Sequence, residues 1–221
     1  TIRVTLELDE MALYEVFREE ALEELEGVQH KKWRRIHLLA SIMRLRRAAC
    51  HAKLVLPACD VPSAKLRELL ERMQTHKEAG ERVLVFSQCV DHLCLIRAPV
   101  DAHGLSYQYL DGSTPVRKRM GAVDKFQAGE GDAFLISLRA GGFGLNLTAA
   151  TQVIHMDPWW NPAVEDQASD RSHRIGQQQE VTVTRIVAAD TIEERIVALH
   201  HKKRHLAAGL LEGSDAVGGL T

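Results

Sequence analysis

The chain has no apolar run close to the ~20 residues that a helix needs to span a bilayer. Its first residues, Thr1-Ile2-Arg3-Val4-Thr5, lack the basic-then-apolar pattern of a secretory signal. Thr1 is not an initiator methionine, so the chain is expected to start inside a longer protein or to be a processed product. Its four cysteines, Cys50, Cys59, Cys89 and Cys94, form no Cys-x-x-Cys pair. That argues against structural zinc and for a reducing, intracellular compartment. Cys89-x-x-His92-x-Cys94 has ligand-like spacing, but it follows an apolar run, where cysteine usually serves as a small buried hydrophobe. No glycine is followed by lysine, which excludes a Walker A loop, and no Gly-x-Gly-x-x-Gly occurs, which argues against a dinucleotide fingerprint. There is no internal repeat.

What remains suits one sizeable core, or a core with an appendage: 45% of the 221 residues are hydrophobic. The net charge of −2 hides a segregation of signs. Acids crowd the start (Glu15, Glu19, Glu20, Glu23, Glu24, Glu26), and bases crowd the next stretch (Lys31, Lys32, Arg34, Arg35, Arg44, Arg46, Arg47, Lys53). Arg117-Lys118-Arg119 is a second basic knot. Charge runs are commonly solvated helix faces, so composition leaves nucleic-acid binding open.

Residues 9–30 and 31–50 read as two helices, the second with Leu38, Leu39, Ile42 and Leu45 at helical spacing. Pro57 and Pro62 end that segment. A helix follows Ser63, with Leu66, Leu69, Leu70 and Met73 on one face. Then short β-rich runs alternate with helical patterns: 83–86, 107–110, 133–136, 152–156 and 181–187. Thr114-Pro115 and Asn161-Pro162 each read as a cap followed by a first-turn proline. The first of these helices has Val116, Met120 and Val123 as its apolar face and Gly129 as its stop. Pro99 is expected to cut short the helix after Ser87. Thr191-Ile192-Glu193-Glu194 reads as a capping box opening a last helix with Ile192, Ile196, Leu199, Leu206 and Leu210 in one stripe. Such alternation implies an α/β fold, a parallel sheet with helices on both faces.

Ligands of an open parallel sheet gather outside the carboxyl ends of its strands. Four polar or glycine-rich segments fall there: Ser87-Gln88, Asp111 to Thr114, Ser137 to Gly144, and Asp157 to Asn161. Each is also ordinary turn chemistry; four on one edge favour a functional edge. In the third, Gly141, Gly142 and Gly144 permit close approach of backbone amides to a phosphate and Arg139 adds a cation, though a plain glycine-rich turn fits as well. In the fourth, Trp159 and Trp160 cannot both face a core on extended backbone, so one ring is expected outward. Further on, Arg171 and Arg174 are three apart and share a face on a helix or tight turn. They suit a phosphate, or else ion pairs with Asp166 or Asp170.

At these residues the chain resembles a known family. QASDRSHRIGQ (167–177) resembles the last helicase motif of Swi/Snf-type ATPases of helicase superfamily two, and SLRAGGFGLNLT (137–148) the motif before it. DPWWNP (157–162), LDGST (110–114) and VLVFSQ (83–88) follow in the family's order and spacing. RLRRAACHAKL (44–54) resembles its lead-in helix and 191–207 its brace helix. The resemblance implies the second RecA-like lobe of a double-stranded DNA translocase, with a helical lead-in at 1–62, the lobe at 63–212 including a brace helix at 191–212, and a flexible tail at 213–221. It implies ATP and Mg2+, bound mainly by a first lobe of the same polypeptide that is absent here; the chain alone is then expected to be inactive as an ATPase. Arg171 and Arg174 would be arginine fingers. Gly144, Asn146, Gln167 and Gln177 would adjoin the nucleotide. Ser87, Gln88, Gly112, Ser113, Arg139, Gly141 and Trp160 would contact DNA. A DNA-bound protein is a further implied partner; a membrane is not. An RNA-helicase lobe, a nucleotide-free scaffold and a nicotinamide-binding dehydrogenase are the rivals. The DPWWNP block and brace helix, the intact arginines and glycine loop, and the missing fingerprint speak against them in turn.

Overall fold

Valine, isoleucine, leucine and aromatic side chains fill the five apolar runs, and all five form strands. A computed structural model describes residues 1–28, 30–140, 145–172 and 179–200. Strand β1 (Ile2–Val4) precedes helices α1 (Leu8–Glu26) and α2 (Lys31–Cys50), a 3-10 turn at Ala52–Leu54, and α3 (Ala64–Glu78). Then come β2 (Val83–Ser87), α4 (Val90–Ala102), β3 (Tyr107–Leu110), α5 (Val116–Gln127), β4 (Ala133–Ser137), β5 (Gln152–His155), α6 (Pro162–Ser169) and β6 (Thr182–Ala188). A final helix, α7, covers 192–200.

The described strands form one sheet in the order β1-β6-β5-β2-β4-β3, and every pair is parallel. Strand β2 is central, and all five of its residues are buried. Alternation along it feeds two cores. Val83 and Val85 pack with Leu69 and Met73 of α3 and Leu93 and Ile96 of α4. Leu84 and Phe86 pack with Phe126 of α5, Leu147 and Ala168 of α6. Burial on both faces is why this strand reads as an unbroken apolar run.

Several local expectations shift. Strand β1 was not foreseen; it extends the sheet beside β6, so the segment before residue 62 is tied into the core. Helix α4 runs through Pro99, which lies three residues from its end, where the missing N–H costs one late hydrogen bond. Helix α5 starts one residue late, after Pro115, and the Thr114 hydroxyl serves the Asp111 turn instead. Its expected face is only half used: Phe126 is buried and Val123 packs, while Val116 and Met120 remain 72% and 65% exposed. In α2, every residue from 31 to 40 is exposed, Leu38 and Leu39 included, so the outer half of that helix stands away from the core. Cys94 is exposed, not a buried hydrophobe. At α7, Thr191 Oγ1 accepts from the Glu193 amide at 3.2 Å, while Glu194 accepts from Asp190 rather than from Thr191. Leu206, Leu210 and the tail lie outside the described residues. No described helix is long and apolar enough to cross a membrane.

One buried ion pair closes the lobe. Lys65 Nζ, on α3, donates to both carboxylate oxygens of Glu193, on α7, at 2.8 and 2.7 Å, and the two side chains are 0% and 1% exposed. Glu193 also accepts from the Ala188 amide at 2.8 Å. Burial pulls the Lys65 pKa down, but the Glu193 carboxylate outweighs it and holds the ammonium charged. Lys65→Met strands a carboxylate in the interior and is expected to cost about 3–5 kcal/mol of stability, measured by urea unfolding. Adding Glu193→Leu should recover most of the loss, because no buried charge is then left alone.

Candidate functional site

Parallel pairing sets the carboxyl ends of β5, β2, β4 and β3 side by side, so the four segments singled out above share one edge. After β2, Ser87 is 1% exposed, and its hydroxyl accepts from the Cys89 amide at 3.1 Å. It therefore shapes the turn from beneath and does not face outward, contrary to the expectation of a surface contact. The Gln88 amide donates to Asp157 at 3.2 Å, tying the ends of β2 and β5 together. Gln88 Oε1 is enclosed and has no hydrogen-bond partner among the described residues.

After β3, Asp111 organises its own turn. Its Oδ1 accepts from the Ser113 amide at 2.8 Å, the Ser113 hydroxyl at 2.7 Å and the Thr114 amide at 3.1 Å, and Oδ2 accepts from Tyr109 at 2.9 Å. Burial pushes its pKa up, but these donors win and hold it below the ordinary value. Gly112 and Ser113 are exposed at the tip, although the donors of Ser113 are already engaged.

After β4, Arg139 is exposed, while Gly141, Gly142 and Gly144 lie outside the described residues. Asn146 is exposed, and the next amide, Leu147, donates to the Arg171 carbonyl at 3.0 Å. That bond joins the glycine segment to the arginine segment, 24 residues later in sequence (171 against 147). Arg171 itself is only 4% exposed, which departs from the expected outward guanidinium: an enclosed side chain offers no edge to a phosphate held outside the lobe. Arg174 and Gln177 lie outside the described residues, and Gln167 is exposed on α6.

After β5, the Asp157-Pro158-Trp159-Trp160 turn is held from three sides. Asn161 caps α6 by accepting from the Ala163 amide at 3.2 Å, with Pro162 in the first helical position. Glu165, 0% exposed, accepts from the Trp159 amide and from Arg185 of β6, both at 2.6 Å. Arg46 of α2, 1% exposed, donates to the Pro158 carbonyl at 2.6 Å. Its guanidinium carbon also lies 5.5 Å from the Trp159 ring and 5.4 Å from the Trp160 ring. Both indoles are half-buried, so the expected split into one inward and one outward ring is replaced by two rings sharing one cation.

These elements enclose a cleft of about 330 Å³ lined by Arg46, Arg47, Gln88, Asp91, Arg139 and Trp159, among others. It brings together Gln88 and Arg139, two of the expected DNA contacts. Among the described residues, no grouping of three or more His, Cys, Asp and Glu side chains could hold a metal ion.

Residues 63–176 match the family model of the helicase conserved C-terminal domain. The chain belongs to this family, as a RecA-like lobe of the Swi/Snf type. The helicase lobe is 43% identical over 152 residues to the helicase-like transcription factor of Homo sapiens, covering 66% of this chain and 15% of that protein. To the putative ATP-dependent helicase/translocase YwqA of Bacillus subtilis it is 34% identical over 221 residues, covering 96% of this chain and 24% of that protein. The solved Sulfolobus solfataricus SWI2/SNF2 ATPase core in complex with dsDNA aligns with a TM-score of 0.78 at 29% identity, over 93% of this chain and 44% of that one. The helicase lobe thus spans only a part of these relatives, a quarter or less of the two curated ones.

Three residues that shape the site were not foreseen in those roles: Arg46, Asp157 and Glu165. Arg46 was visible only as one base in a basic run, and nothing in the sequence singled out Glu165. Their partners lie 112 and 20 residues away, at Pro158 and Arg185.

Titration should reveal the buried layer of the helicase lobe. Burial pushes the Asp157 carboxyl up to about 6 from 3.8, against the pull of Lys65. Burial lowers His155 from 6.5 to about 4, and lowers His51 and His92 as well. Between these values the folded state keeps a proton on Asp157 that the unfolded chain has released, so this group makes stability fall as pH rises. The histidines bind protons less readily when folded than when unfolded, so they make stability rise with pH over the same range. Asp157→Asn removes the falling contribution and is expected to steepen the rise in stability from pH 4 to 6.5, read from urea midpoints. A slope equal to that of the wild type would mean that Asp157 is ionised throughout.

Proposed function

We propose that this lobe is one half of an ATP-driven motor that tracks along double-stranded DNA. The observation that carries this most is the cleft at the carboxyl edge of the sheet, where Gln88 and the exposed Arg139 meet Arg47, which is paired with Asp91, above the enclosed Arg46. Cations on that edge suit a phosphate backbone, which carries no sequence information, as a motor crossing any sequence requires. Gly112 adds support. A Cβ built there meets no atom within 4 Å and its φ is not left-handed, so nothing inside the lobe calls for glycine. A duplex backbone passing close to the turn would. The relatives named as ATP-dependent helicases, and the similar core solved with dsDNA, agree with this assignment.

In this mechanism Gln88, Gly112, Ser113, Arg139, Gly141 and Trp160 face the DNA, and Ser87 supports them from beneath. Gly144, Asn146, Gln167 and Gln177 adjoin the nucleotide. Arg174 is the arginine finger that meets the γ-phosphate, and Arg171 braces its segment from inside. The P-loop and the magnesium site belong to a first RecA-like lobe of the same polypeptide, without which this chain turns over no ATP. Nucleotide held between the lobes favours the closed state, and its hydrolysis releases them; grips on one strand are drawn together and then parted. A DNA-bound protein would be the obstacle or substrate of such movement.

In a protein carrying both lobes, Arg174→Ala is expected to lower ATP turnover by ~10³-fold or more while leaving ATP affinity nearly intact. Turnover close to wild type would remove the finger assignment. Arg139→Ala should weaken duplex binding alike on all sequences and reduce the salt slope of log affinity by about 1. Titrations at several salt concentrations check this, and an unchanged slope would take Arg139 off the phosphate track.

A further inference from the structure

The outer half of α2, residues 31–40, is exposed, yet in its inner half Arg46 is only 1% exposed and enters no ion pair among the described residues. Among the described residues, its hydrogen bonds and ring contacts go to the turn after β5 and to its own helix. It donates to Pro158, approaches Met43 Sδ at 3.9 Å, and lies against both indoles of Trp159 and Trp160. Its Nε is buried with no partner among the described residues, on the wall of the same cleft in which Gln88 Oε1 also has none among them. Burying a guanidinium without a carboxylate is costly, and a helix of apolar residues would close this gap without that cost. The planar cation does what an aliphatic chain cannot: it presents one hydrogen bond to Pro158 and a charged plane to two rings at once.

We propose that Arg46 is a positioning residue that sets Trp160 and the adjoining cleft wall for duplex DNA, which makes the α1–α2 hairpin part of the grip. The inference rests on the assignment of this edge to DNA. Arg46 is too enclosed to meet a phosphate, so it acts through the indoles. Its loss changes how well the turn is formed and leaves the number of phosphates neutralised unchanged.

The test uses the full chain in a Trp33→Phe background, since Trp33 is exposed on the far part of α2 and would mask the pair. Arg46→Lys keeps the charge but loses the plane; Arg46→Met fills similar volume with no charge to bury, and so stays folded if the lysine variant does not. Both are expected to raise acrylamide quenching of the remaining tryptophans and to weaken duplex affinity about tenfold. The salt slope should stay at the wild-type value, whereas Arg139→Ala lowers it by about 1. Folded Arg46 variants with wild-type quenching and affinity would overturn the proposal. So would a lowered salt slope, which would make Arg46 a phosphate contact. If the Arg139 and Arg46 variants all bind duplex as the wild type does, the DNA assignment fails; if only the Arg139 variant is affected, the assignment stands and the positioning role falls.

Discussion

Parallel pairing is the constraint on which the rest of this lobe depends. A strand that runs in the same direction as its neighbour must return across the sheet through a crossover, usually a helix, so every strand delivers its carboxyl end to the same edge. With β2 at the centre, flanked by β4 and β5, the residues after three adjacent strands become neighbours although they lie far apart in the sequence. Gln88, Arg139 and Trp159 meet in one cleft for this reason alone. The glycine and arginine segments meet through the bond from Leu147 to Arg171, with the last turn of α6 just before it.

Beneath that edge lies a layer of buried charge. Lys65 and Glu193 bind α3 to α7, Asp157 bridges β2 and β5, Glu165 holds the tryptophan turn to β6, and Arg46 reaches the same turn from α2. Such groups add little net stability, since their desolvation opposes their attraction. What they supply is definition: each has one set of partners, and displacing any of them leaves a charge or a carbonyl unmet. The polar face of the edge stands on this layer, and so the segment before the RecA-like lobe cannot be treated as a mere connector. It lends the sheet an outer strand at Ile2–Val4 and the site a cation at Arg46.

The family match covers 63–176, which holds strands β2 to β5 and their loops, and it says nothing about the hairpin before it. Yet the hairpin carries the largest set of exposed apolar side chains, among them Trp33, Leu39 and Leu22.

The linear order of residues determined much of this protein. Runs such as Val83–Phe86 could only become central strands, because their side chains need cover on both faces, and Asn161-Pro162 and Ser63 marked helix starts through local hydrogen bonds that neighbouring residues satisfy. The four edge segments were legible because each follows a strand by a residue or two. Tertiary structure alone decided the rest. Whether Ser87 and Arg171 face out or in, whether Trp159 and Trp160 part or share a cation, and whether Val116 and Met120 find cover are matters of burial. Burial depends on partners far away in the chain, and no local pattern of side chains carries that information.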